Sequence, residues 1–125
     1  MSSRDELLEV YLAHAEAVAH ERKDTNFRAV NELADLIRDD PDGAWQIVVE
    51  LVARASDEDT LGFVAAGALE DLICAHPVAV IDRVENRARQ DPRFRKAVAR
   101  VWGWTRIPKN IRARLDRLVA EERRW

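Results

Sequence analysis

An all-α protein of about seven short helices follows from three features of the sequence. Apolar residues recur at spacings of three and four through most of the 125 positions, the interval of a helix face. Pro41, Pro77 and Pro92 each follow a residue able to cap a helix start, Asp40, His76 and Asp91, and proline suits the first helical position. No stretch carries a credible strand pattern.

In chain order, Ser3-Arg4-Asp5-Glu6 reads as a capping box, in which the Ser3 hydroxyl accepts from the Glu6 amide and the Glu6 carboxylate reaches back. The helix it opens runs to about Arg22, with Leu7, Leu8, Tyr11, Leu12, Ala15 and Val18 on one stripe. A second helix, about 26–38, carries Phe27, Val30, Leu33, Ala34 and Ile37. The prolines then set out helices over 41–55 (Trp45, Val48, Val49, Val52), 58–75, 77–89 (Val78, Ile81, Val84, Ala88) and 92–103 (Phe94, Val98, Val101, Trp102). Pro108 opens the last, with Ile111, Leu115, Leu118 and Val119. Pro41 to Pro77 is a step of 36 residues, the size of a helical-hairpin repeat. The expected organisation is one domain over 1–125: an N-terminal helix pair (1–40), two helix-pair units (41–103) and a C-terminal helix (108–125). Its architecture is either a HEAT-like array of hairpins or an irregular helical bundle.

Composition narrows the classes. With 47% hydrophobic and 34% charged residues the chain has the balance of a helical globular protein, not a disordered one. The single Cys74 has no intrachain partner for a disulfide and reads as a buried thiol. No apolar run approaches the roughly 18 residues of a membrane span, and the opening MSSRDELLEVY is acidic, unlike a secretion signal. A cytoplasmic protein without membrane attachment is the expectation. Charge is unevenly spread: residues 1–82 hold 6 Arg/Lys against 18 Asp/Glu, and 83–125 hold 14 against 5, or −12 followed by +9. The two parts are expected to meet, within one chain or across a homodimer; a basic surface for nucleic acid is the alternative.

The stretch FVAAGALEDLICAHP, 63–77, is unusual. At 100° per residue Leu61, Val64, Ala65, Ala68, Leu69, Leu72 and Ile73 form one broad core face. The other side carries Phe63, Ala66, Gly67, Glu70 and Cys74, which are small or apolar apart from Glu70. A helix apolar on two sides is normally central, and Glu70 then needs a cation or several hydrogen-bond donors, because an unpaired buried charge costs several kcal/mol, roughly. Arg100 and Arg106 are the candidates.

Ala65-Ala66-Gly67-Ala68-Leu69-Glu70-Asp71-Leu72-Ile73, Ile81-Asp82-Arg83-Val84-Glu85, Asp91-Pro92-Arg93-Phe94-Arg95 and Val101-Trp102 together resemble a family of small, uncharacterised bacterial domains of unknown function, from Trp45 to Trp102. In that family a proline is frequent where Ala68 stands, so the resemblance does not carry a proline kink over to this chain. Phe63 to Leu72 is also loosely similar to the second helix of HEAT-type repeats. Neither resemblance implies a reaction.

Catalysis finds little support. His14, His20 and His76 fall in no metal-ligand spacing, and Cys74 and His76 sit in apolar surroundings rather than in the electropositive setting a reactive thiolate needs. Gly43, Gly62, Gly67 and Gly103 are scattered and make no phosphate loop. Glu70 and Asp71 are adjacent, so their side chains diverge by 100° and do not readily share one substrate atom. No metal, cofactor or catalytic residue is therefore expected.

Trp45, Trp102, Trp104 and Trp125 make up half of the eight aromatics; Trp45 and Trp102 read as core, Trp104 and Trp125 as more exposed. Aromatic plus arginine in VWGWTRIP is the composition of an interface anchor. Arg89, Arg93 and Lys96 could form a phosphate ridge. The expected function is protein–protein interaction without catalysis, of the kind an immunity protein or antitoxin performs. A nucleic-acid-binding helical repeat using the basic third ranks second, and an enzyme using Glu70 third. Candidate binding residues are Glu70, Trp102, Trp104, Arg106, Arg93 and Lys96.

Overall fold

The computed structural model describes residues 4–23, 27–101 and 106–123, with side chains of the last helix as far as residue 120. Seven helices and no strand are present among them. They are α1 (Arg4–Ala19), α2 (Arg28–Asp39), α3 (Pro41–Arg54), α4 (58–75), α5 (Pro77–Gln90), α6 (Pro92–Val98) and α7 (Lys109–Arg123). The protein is all-α. Ser3, proposed to cap α1, lies outside the described residues, as do Trp102, Trp104 and Trp125.

Most helix ends follow from local chemistry. Asp40 caps α3 by accepting from the Gly43 amide at 3.1 Å, and Asp91 caps α6 by accepting from Arg93 at 3.0 Å. Asp57 caps α4, accepting from the Thr60 amide at 2.8 Å. α1 ends at Ala19 rather than near Arg22, because Glu21 adopts a left-handed conformation (φ 57°). The Arg22 amide then bonds the Ala17 carbonyl at 2.7 Å and the Glu21 amide the Val18 carbonyl at 3.1 Å, the paired closure in which glycine usually occupies the left-handed position.

α4 is central. Its first half packs on α1, its last part on α2 and α5, and it also touches α3 and α6. All seven residues of its expected core face are buried, with Val64, Ala65, Leu69, Leu72 and Ile73 at 0% exposure. That face repeats every four residues: Leu61, Ala65, Leu69 and Ile73, and between them Val64, Ala68 and Leu72. A helix of 3.6 residues per turn lets a four-residue repeat drift around its axis. The chain absorbs the drift with a wider π-turn over Ala65–Leu69, closed by the Glu70 amide on the Ala65 carbonyl.

The other stripes are shifted in places. On α5 the core takes Val80, Ile81, Val84 and Ala88 and leaves Val78 outside, 74% exposed. On α2 it takes Ala29, Leu33 and Ile37, so that Ala34 is exposed and Phe27 is 56% exposed with its ring edge on His14. On α1 His14 is buried and Val18 is exposed. Each expected stripe contained apolar residues at its margin, and packing, not periodicity, decides which margin turns inward. Trp45 is half-buried, edge-on to the fully buried Phe94 with ring centres 5.6 Å apart.

Candidate functional site

Glu70 begins the part of α4 beyond the π-turn and is 13% exposed. The Arg106 guanidinium, supplied by the chain just before α7, donates to its carboxylate at 2.8 Å. Of the two arginines proposed for Glu70, Arg106 is therefore the partner. Arg100 instead donates to the Glu58 carbonyl at 3.0 Å and stands 3.4 Å from that residue's carboxylate.

Asp71, one residue on, points elsewhere. Among the described residues no cation stands within ion-pair distance of it. Its side chain is exposed at the surface, yet the helix ends around it withdraw enough water to push its carboxyl above the usual aspartate range; Arg106 pulls the other way and Glu70 adds to the rise. Its field reaches Tyr11, a buried tyrosine on α1 whose hydroxyl meets the Ala68 amide inside the π-turn. Burial and Asp71 together lift the Tyr11 hydroxyl from 10.0 to about 12. Cys74, one turn beyond Glu70, is half-buried rather than buried, and desolvation holds its thiol above the ordinary value. That protonated thiol is not a nucleophile's.

Beside Asp71 the α2, α4 and α5 ends leave a hollow of about 400 Å³, lined by Ala34, Ile37, Arg38, Asp71, Ala75 and His76. His76 shapes it: its Nε2 lies 2.6 Å from the Ile37 carbonyl, an α2 carbonyl in the last turn with no helical partner. The side chain therefore closes the end of α2 and does not cap α5, although it precedes Pro77. Arg38 turns to Asp35 and Asp39, at 3.2 and 3.1 Å. Ala75 and Val78 are exposed at the edge of this corner.

Arg93 and Lys96 stand in a separate hollow of about 330 Å³ with Ser56, Asp57, Glu58, Leu61 and Pro92. Arg93 is turned inward, its Nε donating to the Val52 carbonyl at 2.9 Å and its Nη2 to that of Ala55, so it closes the end of α3. Lys96 meets Glu58 at 3.4 Å. The structure thus brings Glu70 and Arg106 together and keeps Arg93 and Lys96 apart from them. Trp102 and Trp104, named with them, lie outside the described residues.

The same economy extends across the basic third. Arg83 pairs with Asp42 at 2.5 Å, and Arg114 with Asp82 at 2.6 Å and with Glu85. The Asp42, Asp82, Glu58 and Glu70 contacts all join the acidic part to the basic part within one chain. Among the described residues no three metal-ligating side chains converge, and no helix is long and apolar enough to cross a membrane.

Sequence reasoning singled out Glu70 and its arginine but not Tyr11, Arg38 or His76 as neighbours of α4's C-terminal half. Nothing in the sequence marks that corner: the spacing puts Ala34 and Val78 on the apolar stripes of their helices, and the structure leaves both exposed. No curated protein and no solved structure has significant similarity to the chain. A family model does match, over residues 16–123, a wider span than the 45–102 on which the resemblance rested. The chain belongs to that family, a family of unknown function (DUF6869).

Proposed function

We propose that the chain is a protein-interaction domain without catalysis of its own, a cytoplasmic array of HEAT-type hairpins that engages its partner through the α2–α4–α5 corner. The observation that carries this reading is the corner itself: a hollow walled by Ala34, Ile37 and Ala75, with Val78, two residues beyond its His76 in the chain, 74% exposed. A valine left in water on a helix whose Val80, Ile81 and Val84 are buried is the sort of residue a partner covers.

The array reading draws on the spacing of the cross-links. His20–Asp57, Ile37–His76, Asp42–Arg83, Val52–Arg93, Glu58–Lys96 and Glu70–Arg106 all join residues 36 to 41 apart. A stack of hairpins with a repeat near 36 residues makes contacts at that separation. Nucleic-acid binding loses its main argument, because Arg93 is bound to backbone carbonyls and Lys96 and Arg100 face Glu58.

A photo-crosslinking residue at position 78, introduced in the native host, tests the reading. A discrete protein adduct is expected from position 78 and none from position 54, also exposed but on α3. No adduct from position 78, or retention of nucleic acid with a steep loss as salt rises, overturns it.

A further inference from the structure

The hollow beside Asp71 has a chemistry more specific than an apolar dent, and assigning it an occupant rests on the corner being the partner-binding surface of an interaction domain. Its walls are aliphatic, with Ala34 and Ile37 from α2 and Ala75 from the end of α4. Of the two charged side chains that line it, Arg38 is already held by Asp35 and Asp39, outside the lining, which leaves the Asp71 carboxylate as the charge to be met. His76 has its Nε2 directed to the Ile37 carbonyl. Asp71 is therefore the carboxylate at the hollow that no described cation neutralises at close range. Arg106, whose charge also acts on it, is engaged by Glu70.

We propose that this hollow receives an arginine or lysine side chain presented by a partner protein, its alkyl stem against Ala34, Ile37 and Ala75 and its cationic end on Asp71. Long cationic side chains combine these two needs, since their methylenes lie along apolar surface while the head group remains at the edge in contact with water and a carboxylate. A neutral apolar group would satisfy the walls and leave Asp71 partly desolvated without compensation; an anion would add repulsion. Arginine suits the site better than lysine, because its planar fork can engage both Asp71 oxygens. Val78, on the first turn of α5, would meet the residues of the partner flanking that side chain.

The test uses the full chain, isotopically labelled, and blocked tripeptides Ala-Arg-Ala, Ala-Lys-Ala and Ala-Gln-Ala followed by nuclear magnetic resonance. The expected result is saturable shifts at Ala34, Ile37, Ala75 and Val78 with the arginine and lysine peptides and none with the glutamine peptide. Asp71→Asn should weaken binding about five-fold, the scale of one partly exposed charge pair, with the rest of the spectrum unchanged. Ala75→Lys, which places a cation of the chain's own at the hollow, should abolish it. Equal shifts from the glutamine peptide, binding undiminished in Asp71→Asn, or no saturable shift at the corner would each overturn the proposal. Tighter binding of free spermidine than of any peptide would also overturn it, in favour of a small polyamine. A crosslinked partner at position 78 together with no arginine binding would sink this inference alone and leave the interaction reading standing.

Discussion

The Arg106 guanidinium reaches back 36 residues to hold the Glu70 carboxylate at 2.8 Å, on the side of α4 opposite its core face. The pair is asymmetric: Glu70 is 13% exposed and Arg106 56%. Water therefore screens the cation, and a contribution of about 1 kcal/mol is expected, below the 1.5 to 3 of a shielded charged bond. Glu70→Gln should lower stability by about that amount in urea denaturation. Arg106→Ala should cost a similar amount, and the double variant less than the sum of the two. Additive losses would show that the two side chains do not interact in solution.

Arg93 and Lys96, neighbours on one helix, should behave very differently. Arg93→Ala strands the Val52 and Ala55 carbonyls at the end of α3 and should cost about 2 to 3 kcal/mol. Lys96→Ala removes one exposed contact with Glu58 and should stay within about 0.5 kcal/mol of the parent. Comparable melting temperatures for the two variants would contradict this division between a structural arginine and a surface lysine.

Tyr11 is the only tyrosine, so its ionisation can be followed directly by tyrosinate absorbance. The folded chain should titrate near 12 and the unfolded chain near 10.0, because burial first and the Asp71 carboxylate second disfavour the phenolate. As the folded value is the higher, the stability tied to the neutral phenol is intact below pH 10 and is lost as pH climbs towards 12. Asp71→Asn should bring the folded midpoint down without returning it to 10.0. A midpoint at the ordinary value in the folded parent would mean that Tyr11 is not buried against the π-turn.

Glu21 occupies a left-handed position that glycine fills without strain. Glu21→Gly should therefore raise stability by about 1 kcal/mol, an unusual sign for a glycine substitution. The amide bonds from Glu21 to Val18 and from Arg22 to Ala17 would be kept. A lower melting temperature for this variant would place the termination of α1 elsewhere.

Much of the fold was legible in the chain itself, because its determinants are local. Asp40-Pro41 and Asp91-Pro92 specify helix starts within a few residues, and the seven apolar positions from Leu61 to Ile73 specify one buried face whatever surrounds it. The two-sided apolarity of the same segment, with its single carboxylate, was enough to point to a central helix and to an arginine for Glu70. The π-turn over Ala65–Leu69 was not legible, because at 100° per residue the same seven positions already share one broad face of an ordinary helix. Long-range geometry decided the rest. Whether Arg100 or Arg106 reaches Glu70 depends on how the chain turns after α6, and whether His76 caps α5 or closes α2 depends on the distance to a carbonyl 39 residues away. The choice between Val78 and Val80 for the core was likewise made by the neighbours α6 and α7, since both valines lie close enough to the apolar stripe of α5 for periodicity alone to admit either. Packing also decided that Ala34, Ala75 and Val78 stay outside the core, because the neighbouring helices cover the opposite sides of their helices.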